Sequence, residues 1–475
     1  MPTNKNLEKK YLFVDLDGSL IKTDLLHETF LSFFKINLFA PLHCLINLLS
    51  GGIAGLKSFL YKNSDICIST LPYDRDVLNF INSWRDDNKG EVILISASDD
   101  RLVQKISEHL NVFDASYGTI DVNLKSKNKL KKIRQLSNGS KFDYIGNSFD
   151  DFIILKESRA PVIVNPSFLL EKKLQKHLEK PHLIQNKIYF AKSFIKLIRM
   201  HQWIKNLLLF VPMILSNLFS IEAFTQLVFG FTSFSMVASA FYIFNDQLDL
   251  ESDRNHLTKK YRPLASGEIS LFQGALAIPI LLTIAGFISL NLNQDFQIIL
   301  AFYGLSTFLY SKYLKRIAML DILILSLLYL LRILAGAMVL SIELSNWLVT
   351  FSVFFFLFLA SLKRHIEIKK SLAEHIPSRG YSKNDEGFIF QLSSFSGLIS
   401  VLVICLYVDS QEAQAIYSSV NTLWLIPLIL LYWVMQILFN ANRDIVDDDP
   451  VVYVLKDRTS YCCLGLFFLI FLSAL

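Results

Sequence analysis

Cysteine is scarce in this sequence, and the few cysteines show no pattern. The chain of 475 residues has five, at positions 44, 67, 405, 462 and 463, and their spacings are not those of a zinc or redox site. No secretory signal is visible, because Met1 to Lys10 is polar and the apolar run that follows is too short for one. The net charge of +5 is also small, so we expect no nucleic-acid partner.

The sequence also lacks the composition of a soluble protein. Apolar residues make up 52% of the chain, 39 residues are phenylalanine and the mean hydropathy is +0.39. Lys, Asp and Glu are dense before about position 200, whereas apolar runs broken by charged loops make up most of the rest. We therefore predict a soluble domain at 1–180, a linker at 181–202 and a membrane domain at 203–475.

Positive charge is absent from the loops on one side of the predicted membrane domain. About nine apolar segments are long enough to cross a membrane: 203–221, 223–244, 271–291, 296–313, 317–341, 344–362, 388–408, 422–440 and 460–475. The loops 291–295, 341–345 and 409–421 contain no Lys or Arg, while the opposite loops hold clusters of both. Because such clusters stay in the cytoplasm, we expect a multi-pass protein of the inner (cytoplasmic) membrane with a cytoplasmic N-terminal domain.

A charged stretch, 244–267, ends the second apolar segment. Asp246, Asp249 and Asp253 fall at i, i+3 and i+7, so on a continuing helix their carboxylates share one face. Mg²⁺ relieves the repulsion between such carboxylates and also binds phosphate oxygens, and Asn245 can add a carbonyl ligand. Cations that can pair with phosphate follow: Arg254, Lys259, Lys260 and Arg262. The stretch predicts a Mg²⁺-diphosphate site, with a solvated loop between membrane helices as the alternative.

Three apolar strands of the N-terminal domain each end in polar residues. The strands are 11–14, 92–95 and 142–145. Asp15 and Asp17 follow the first, Ser96 the second, and Asn147 with Asp151 the third. Helical patterns separate the strands, which is typical of a doubly wound α/β unit with its site at the carboxyl edge of the sheet. Three lysines precede the third strand: Lys127, Lys129 and Lys131.

An insertion rich in Phe and Leu lies between the first two strands, at about 25–72. Lys35, Asn37, Pro41 and His43 interrupt its apolar run. This pattern favours a helical cap that covers the α/β site and lies on the bilayer surface, rather than a membrane span.

The stretch 244–267 resembles the first aspartate motif of the UbiA-type intramembrane prenyltransferase superfamily, Asn-Asp-x-x-Asp-x-x-x-Asp followed by Arg-Pro-x-x-Ser-Gly. Gln202-Trp203-Ile204-Lys205-Asn206, and Lys363-Arg364-x-x-Glu367 in place of a second aspartate-rich motif, resemble the branch that acts as polyprenyl-phosphate phosphoribosyltransferases. The resemblance implies an all-α bundle that uses Mg²⁺ to transfer 5-phosphoribose from phosphoribosyl diphosphate to a membrane polyprenyl phosphate. It implies that three residues are catalytic and bind Mg²⁺: Asp246, Asp249 and Asp253. It implies that six bind substrate: Asn245, Lys259, Arg262, Lys363, Arg364 and Glu367.

Two observations leave other readings of the membrane domain open. Lys363, Arg364 and Glu367 also fit the flanking charge expected at the cytoplasmic end of a span. Arg332 lies within a predicted span, with Asp321 three helical turns away, and it is either a structural anchor or part of the site.

The motifs of the N-terminal domain resemble those of the haloacid-dehalogenase-like phosphatases: Asp-x-Asp-Gly, a Ser or Thr, a Lys, and Gly-Asp-x-x-x-Asp. The resemblance implies that Asp15 is the nucleophile and Asp17 the general acid-base, with Ser96 and Lys129 on the phosphoryl oxygens. It implies a Mg²⁺ site of four residues: Asp15, Asp17, Asn147 and Asp151. Asn147 replaces the family's aspartate, which removes one charge, so catalysis and mere binding both stay open.

Together the two resemblances imply that the soluble domain removes the 5-phosphate of the product made by the membrane domain. The alternative is an aromatic-acceptor prenyltransferase that uses a prenyl diphosphate and carries a sugar-phosphate-binding module. The Lys-Arg-x-x-Glu sequence counts against this alternative. No feature of the sequence indicates an oligomeric state.

Overall fold

The computed structural model of the protein describes residues 10–88, 90–177, 181–185, 189–371, 379–446, 449–454 and 456–474. The chain divides into two compact units. The first unit runs to Ile198 and also includes Ile243–Ala277, which contains the aspartate motif. The second unit comprises Arg199–Tyr242 and Ile278–Leu475. The domain boundaries at 180 and 203 stay predictions.

A parallel sheet of six strands forms the centre of the described part of the first unit. Its strands are Tyr11–Val14 (β1), Glu91–Asp99 (β2), Ala115–Thr119 (β3), Phe142–Gly146 (β4), Pro161–Val164 (β5) and His182–Ile184 (β6). Their spatial order is β3-β2-β1-β4-β5-β6. The chain moves from β1 through β2 to β3 and then returns to β4 on the other side of β1. Ligands of open parallel sheets bind at such a reversal, outside the carboxyl ends of the strands.

Eight α-helices of the described residues lie between or after these strands, up to residue 198. They are Leu25–Ile36 (α1), Ala40–Asn63 (α2), Arg75–Asn88 (α3), Asp100–Leu110 (α4), Lys127–Leu136 (α5), Phe152–Glu157 (α6), Phe168–His177 (α7) and Phe190–Leu197 (α8). Alternate side chains of β1 join different apolar clusters, Leu12 and Val14 one and Tyr11 and Phe13 the other. The prediction of a doubly wound α/β domain is thus confirmed.

The chain after residue 200 is helical wherever it forms regular structure in the described ranges. Its α-helices are Val211–Leu215 (α9), Ile221–Leu248 (α10), Leu250–Asn255 (α11), Leu271–Ser289 (α12), Gln294–Lys312 (α13), Leu320–Leu340 (α14), Asn346–Lys370 (α15), Glu386–Val408 (α16), Gln411–Ile416 (α17), Val420–Leu423 (α18), Leu425–Asn442 (α19), Pro450–Val454 (α20) and Arg458–Ala474 (α21). Short 3₁₀ helices join them, at Met200–Phe210, Lys259–Tyr261, Leu314–Arg316 and Lys383–Asp385.

Among the described residues, seven helical segments are long and apolar enough to cross a membrane. They are Ala40–Asn63, Ile221–Leu248, Leu271–Ser289, Leu320–Leu340, Asn346–Lys370, Lys383–Val408 and Val420–Asn442. The last six coincide with six of the nine segments that the sequence predicts, and the protein is a multi-pass membrane protein. The seventh candidate is α2, which the sequence predicts to be part of a cap.

The predicted count of about nine spans is not confirmed. The segment 203–221 is a 3₁₀ helix followed by the short α9, whose second residue is Pro212. Gly336 of α14 packs so closely on this 3₁₀ helix that a Cβ there would overlap the carbonyl of Leu209. The segment 296–313 forms α13, a 19-residue helix that is not among the span candidates. At the predicted segment 460–475 lies α21 (Arg458–Ala474), which is only 17 residues long.

Candidate active sites

The first candidate site lies at the carboxyl edge of the sheet, where β1 adjoins β4. Asp15 follows β1, and its backbone N–H donates to the Ile145 carbonyl at 3.0 Å, which places its side chain between the two strand ends. Lys129 of α5 donates through Nζ to Asp15 at 2.7 Å and to Asp151 at 3.2 Å. All three side chains are buried, so this is a compact cluster of one cation between two carboxylates.

Asp17 occupies the other side of this site. Its Oδ2 accepts from the hydroxyls of Ser96 and Ser98, at 3.0 and 2.6 Å. Its Oδ1 accepts from the backbone N–H of Leu25, the first residue of α1, at 2.8 Å. The start of the cap insertion is therefore bonded directly to the predicted general acid.

The structure brings together five of the residues that the sequence predicts for this site: Asp15, Asp17, Ser96, Lys129 and Asp151. Of the three candidate lysines, Lys127 and Lys131 are exposed. Asn147 packs against Gly18. A Cβ at position 18 would overlap the side-chain amide of Asn147, and the φ of 75° at Gly18 favours glycine. We name this set of residues, Asn147 included, the sheet-edge site.

Sequence reasoning missed three further residues of the sheet-edge site. Ser98 points the same way as Ser96 because alternate residues of a strand share one face, so the signal was available. The hydroxyl of Tyr144 donates to Asp151 at 2.6 Å, and the hydroxyl of Ser19 donates to Asp15 at 3.0 Å. Nothing in the local sequence distinguishes these two from ordinary core and turn residues.

Burial changes the ionisation of the sheet-edge carboxyls. It raises the pKa of Asp15 to about 7, although the ammonium of Lys129 opposes the shift. Burial and then the carboxylate of Asp24 raise the pKa of Asp17, against its hydrogen bonds from Ser98, Leu25 and Ser96. A carboxyl group that holds its proton more strongly than usual is suited to donate it to a leaving group.

The second candidate site is the aspartate motif, in the part of the first unit that runs from Ile243 to Ala277. The predicted continuous helix is interrupted, because α10 ends at Leu248 and α11 begins at Leu250 with Asp249 between them. Asp246 and Asp253 are buried and converge on one atom: Arg262 Nη1 lies 3.0 Å from the first and 2.6 Å from the second. Asp249 is half-buried and accepts from the Asn245 amide at 3.0 Å.

The cations of the motif differ in their surroundings. Burial raises the pKa of Asp253 to about 6 although Arg262 opposes the shift, so Arg262 stabilises two carboxylates that repel each other. Lys259 lies half-buried in the 3₁₀ helix Lys259–Tyr261. Arg254, which the sequence groups with the phosphate-binding cations, instead donates to Glu28 of α1 at 2.6 and 3.2 Å. This ion pair is buried on both sides.

Magnesium is the cofactor that both motifs imply, and the donors present fit it. Asp246 and Asp253 already converge on one positively charged atom, as the ligands of a divalent ion must. At the sheet edge Asp15 offers a carboxylate, and Asn147 adds an uncharged amide oxygen. No group of three or more Asp, Glu, His or Cys side chains with metal-site spacing occurs in the described residues. One or two carboxylates suffice for Mg²⁺ when waters and phosphate oxygens complete its shell.

A third cluster lies in the second unit around Asp321. Arg364 donates to it through Nε at 2.7 Å and through Nη2 at 2.9 Å, Arg379 at 3.1 Å, and the Tyr310 hydroxyl at 2.8 Å. Arg364 also contacts Glu367. Arg364 and Asp321 are almost fully buried, so the guanidinium predicted to bind phosphate is engaged by protein carboxylates.

Lys363 has a different environment from its neighbour Arg364. Its ammonium lies 3.4 Å from Asp449, and that of Lys205 lies 2.5 Å from the same carboxylate. Burial alone would raise the pKa of Asp449. The two ammonium groups outweigh this effect and lower the pKa well below its usual range. We call Lys205, Lys363 and Asp449 the two-lysine cluster. The neighbouring Asp447 and Asp448 lie outside the described residues.

Arg332 is held by uncharged partners inside the second unit. Its Nε donates to the Asn206 amide oxygen at 2.9 Å and its Nη2 to the Tyr303 hydroxyl at 3.1 Å. The Asn206 amide in turn donates to Ser235 at 2.9 Å. Asp321 pairs with Arg364 and not with Arg332, so the pattern favours the anchoring role of Arg332.

Comparison with known proteins identifies the membrane part. A model of the UbiA prenyltransferase family matches residues 207–453, more than half of the chain. The chain belongs to the UbiA prenyltransferase family. The matched segment includes the aspartate motif, Lys363, Asp449 and the Asp321 cluster. It begins just after Lys205.

Two relatives and one solved structure show how far the similarity extends. An uncharacterized protein of Sinorhizobium fredii, y4nM, is 34% identical over 457 residues, which is 95% of this chain and 88% of that protein. A decaprenyl-phosphate phosphoribosyltransferase of Mycolicibacterium smegmatis is 32% identical over 225 residues, 45% of this chain and 68% of the relative. A probable phosphoserine phosphatase from Vibrio cholerae aligns at 13% identity and a TM-score of 0.28, covering 38% of this chain and 61% of that chain.

The chain also carries the α/β domain of the sheet-edge site, whose four motifs resemble those of the haloacid-dehalogenase-like phosphatases. These motifs lie at the carboxyl edge of the sheet, on and beside β1, β2 and β4. The predicted family and fold are confirmed, while the roles of individual site residues stay predictions.

Proposed function

We propose that this UbiA-family enzyme transfers 5-phosphoribose from phosphoribosyl diphosphate to a polyprenyl phosphate, and that its α/β domain then removes the 5-phosphate. The observation that carries the transfer step is the convergence of Asp246 and Asp253 on Arg262 Nη1. The names of several relatives support the choice of substrates, since they are decaprenyl-phosphate phosphoribosyltransferases.

The aspartate motif would bind the donor. Bound Mg²⁺ would offset the negative charge of the diphosphate leaving group. Asp246 and Asp253 would hold the ion together with waters and phosphate oxygens, and Asn245 would orient the neighbouring Asp249 through its hydrogen bond. Arg262 could exchange a carboxylate for a phosphate oxygen, since a guanidinium binds both kinds of group. Lys259 would contribute a second cation.

The two-lysine cluster would bind the phosphate of the lipid acceptor. Two ammonium groups and one carboxylate leave a net positive charge, which suits a phosphate monoester. The lipid phosphate oxygen would attack C1 of the ribose, the bond from C1 to the diphosphate oxygen would break, and diphosphate would leave.

The sheet-edge site would carry out the second step. A carboxylate oxygen of Asp15 would attack the 5-phosphate, and the proton of Asp17 would pass to the departing sugar oxygen. Asp17 would then take a proton from the water that cleaves the aspartyl-phosphate, which releases inorganic phosphate. Lys129 and Ser96 would bind the phosphoryl oxygens. The ion at this site, held by Asp15 with Asn147 and completed by waters and phosphate oxygens, would balance the charge of the phosphoryl group.

The charge of the loops supports a location in the inner membrane with the α/β domain in the cytoplasm. Both substrates of the transfer and the phosphate of the product would then be handled on the side where Lys and Arg accumulate.

Mass analysis of the lipid product tests the proposed function. Purified protein, phosphoribosyl diphosphate, a short polyprenyl phosphate and Mg²⁺ should give a lipid that carries ribose and no 5-phosphate. A parallel reaction with a prenyl diphosphate and an aromatic acid should give no product. Product in the second reaction alone would replace the proposal with aromatic prenyl transfer.

Substitutions of two neighbouring residues of α15 should differ sharply in their effects on stability and on substrate binding. Arg364→Gln leaves the buried Asp321 short of a partner and should lower the free energy of unfolding by about 3 kcal/mol. Lys363→Gln alters a side chain that is 34% exposed, so it should leave stability nearly unchanged and raise KM for polyprenyl phosphate about tenfold. Thermal unfolding in detergent and steady-state kinetics measure the two effects. Equal KM values for Lys363→Gln and wild type would remove Lys363 from the lipid site.

A further inference from the structure

The cap insertion contains an exposed apolar surface without charge. From Ile36 to Leu56 the sequence has no Asp, Glu, Lys or Arg. Large side chains of this stretch are more than half exposed, among them Ile36 at 75%, Phe39 at 65% and Leu49 at 79%. Soluble proteins seldom leave such a continuous apolar surface in water. Lys35 and Lys57 border the stretch at its two ends.

Although α2 is long and apolar enough to be a span, its anchoring excludes a single crossing. The insertion starts at Leu25, whose N–H donates to Asp17. It returns at Lys57, whose Nζ donates to the Ala97 carbonyl at 2.5 Å and to Asn123 at 3.1 Å. Asp17, Ala97 and Asn123 all follow or end strands of one sheet, so both ends of the insertion lie at the same edge. A segment that leaves and re-enters one soluble domain does not end on the far side of a bilayer.

The backbone of α2 also bends in the middle. Gly52 has φ 61° and ψ −163°, which divides α2 into two arms. At about 1.5 Å per residue the arm from Ala40 to Gly51 is about 18 Å long, whereas the hydrocarbon core is roughly 30 Å thick. Each arm can therefore enter one leaflet only.

Contacts within the first unit bring α1 to the ends of two candidate spans. The ring of Phe34 lies 6.3 Å from that of Phe244 near the end of α10, and His27 lies 5.8 Å from Phe272 near the start of α12. The buried Glu28–Arg254 ion pair joins α1 to α11 beside them. The apolar surface thus begins where membrane helices end.

We propose that α1 and the first arm of α2 form a hairpin whose uncharged surface, from Ile36 to Gly51, inserts into one leaflet of the bilayer. The partner is the acyl-chain region of the lipids below their headgroups, since an uncharged apolar surface gains free energy there. Lys35 then reaches the headgroups with its ammonium group, while Lys57 stays bonded to the sheet edge. The sheet-edge site, to which both ends of the insertion are bonded, is thereby held at the membrane surface.

Depth-dependent fluorescence quenching tests this insertion. The full-length protein, with its five cysteines replaced by serine, receives a single labelled cysteine by Leu49→Cys in lipid nanodiscs. Lys141→Cys serves as the matched control, because Lys141 is exposed and precedes β4 at the opposite edge of the sheet. The label at position 49 should be quenched by nitroxides on lipid acyl chains and about threefold less by aqueous iodide than the label at position 141. Iodide quenching equal to that of the control would overturn the insertion, and shielding from both quenchers would show a protein partner instead.

A second experiment tests what the insertion does for catalysis. It rests on the proposed phosphatase step. Leu42→Asp, Leu45→Asp and Leu49→Asp together change exposed side chains of the first arm only. The ratio of phosphate release from a lipid-linked ribose 5-phosphate to release from free ribose 5-phosphate should fall about tenfold, because charge keeps the hairpin out of the lipid. An unchanged ratio would overturn the role of the hairpin in catalysis. If wild type hydrolyses neither ester, the phosphatase step fails while the quenching result stands.

Discussion

Asp246→Asn should lower the rate of phosphoribosyl transfer at least about a hundredfold, because it removes one of two buried carboxylates that converge on the same cation. Asparagine has the size of aspartate, and Arg262 keeps its 2.6 Å contact with Asp253, so we expect the fold to persist. The rate is measured as lipid product formed from phosphoribosyl diphosphate over a Mg²⁺ titration. More Mg²⁺ should restore only part of it.

Glu251→Gln is the matched control for this substitution. Glu251 is a carboxylate of the same motif, in α11, but it is exposed and lies outside the cluster on Arg262. Its loss should leave the transfer rate within about twofold of wild type, since an exposed single charge contributes little. Thermal unfolding of both variants separates lost chemistry from lost structure. Transfer by Asp246→Asn at the wild-type rate would eliminate the proposed metal site.

Local sequence was sufficient to predict part of the sheet-edge site. Asp15 and Asp17 follow β1 and Ser96 lies near the end of β2, and the carboxyl ends of parallel strands meet at one edge of the sheet. The choice of Lys129 depended on the resemblance. The structure gives its physical reason, because only this lysine of the three is buried against the strand ends. Motifs that follow strands are predictable since the sheet itself fixes their positions.

Partners that are distant in sequence were not predictable in the same way. Arg254 pairs with Glu28, 226 positions away, and Arg364 pairs with Asp321, 43 positions away. A sequence shows that both arginines are near other charges, yet it does not show which carboxylate will be buried with them. The sequence therefore predicts that Arg254 and Arg364 bind phosphate. In the structure both arginines pair with protein carboxylates instead.

The membrane spans show a related limit of composition. Apolar length alone counts α2 as a span, although its two ends bond to one sheet edge. The segment 203–221 also has the length, but Pro212 and the close packing of Leu209 on Gly336 accompany a 3₁₀ helix instead. Hydropathy reports what a segment can bury, and only tertiary contacts decide how it is buried.

Asp15→Asn should make the lipid-linked sugar accumulate with its 5-phosphate, while the transfer rate stays near that of wild type. The substitution removes the carboxylate oxygen that would form the aspartyl-phosphate. It keeps the side-chain volume, so Lys129 retains Asp151 and Tyr144 as partners. Wild type should release about one inorganic phosphate for each lipid product, and the variant at least about a hundredfold less. Mass analysis of the lipid and a phosphate assay follow the two steps separately.

Two further substitutions decide how the result is interpreted. Asp150→Asn is the matched control, because Asp150 lies beside Asp151 but is exposed and pairs with Lys125 on the surface, so phosphate release should be unchanged. Asn147→Asp restores the carboxylate of the family pattern and should lower the Mg²⁺ concentration needed for half-maximal release, because an added charge binds the ion more tightly. If wild type and Asp15→Asn give the same phosphorylated lipid at every Mg²⁺ concentration, the α/β domain binds sugar phosphate without hydrolysing it. In that case the buried Lys129 between Asp15 and Asp151 would hold a binding site together and would not serve a nucleophile.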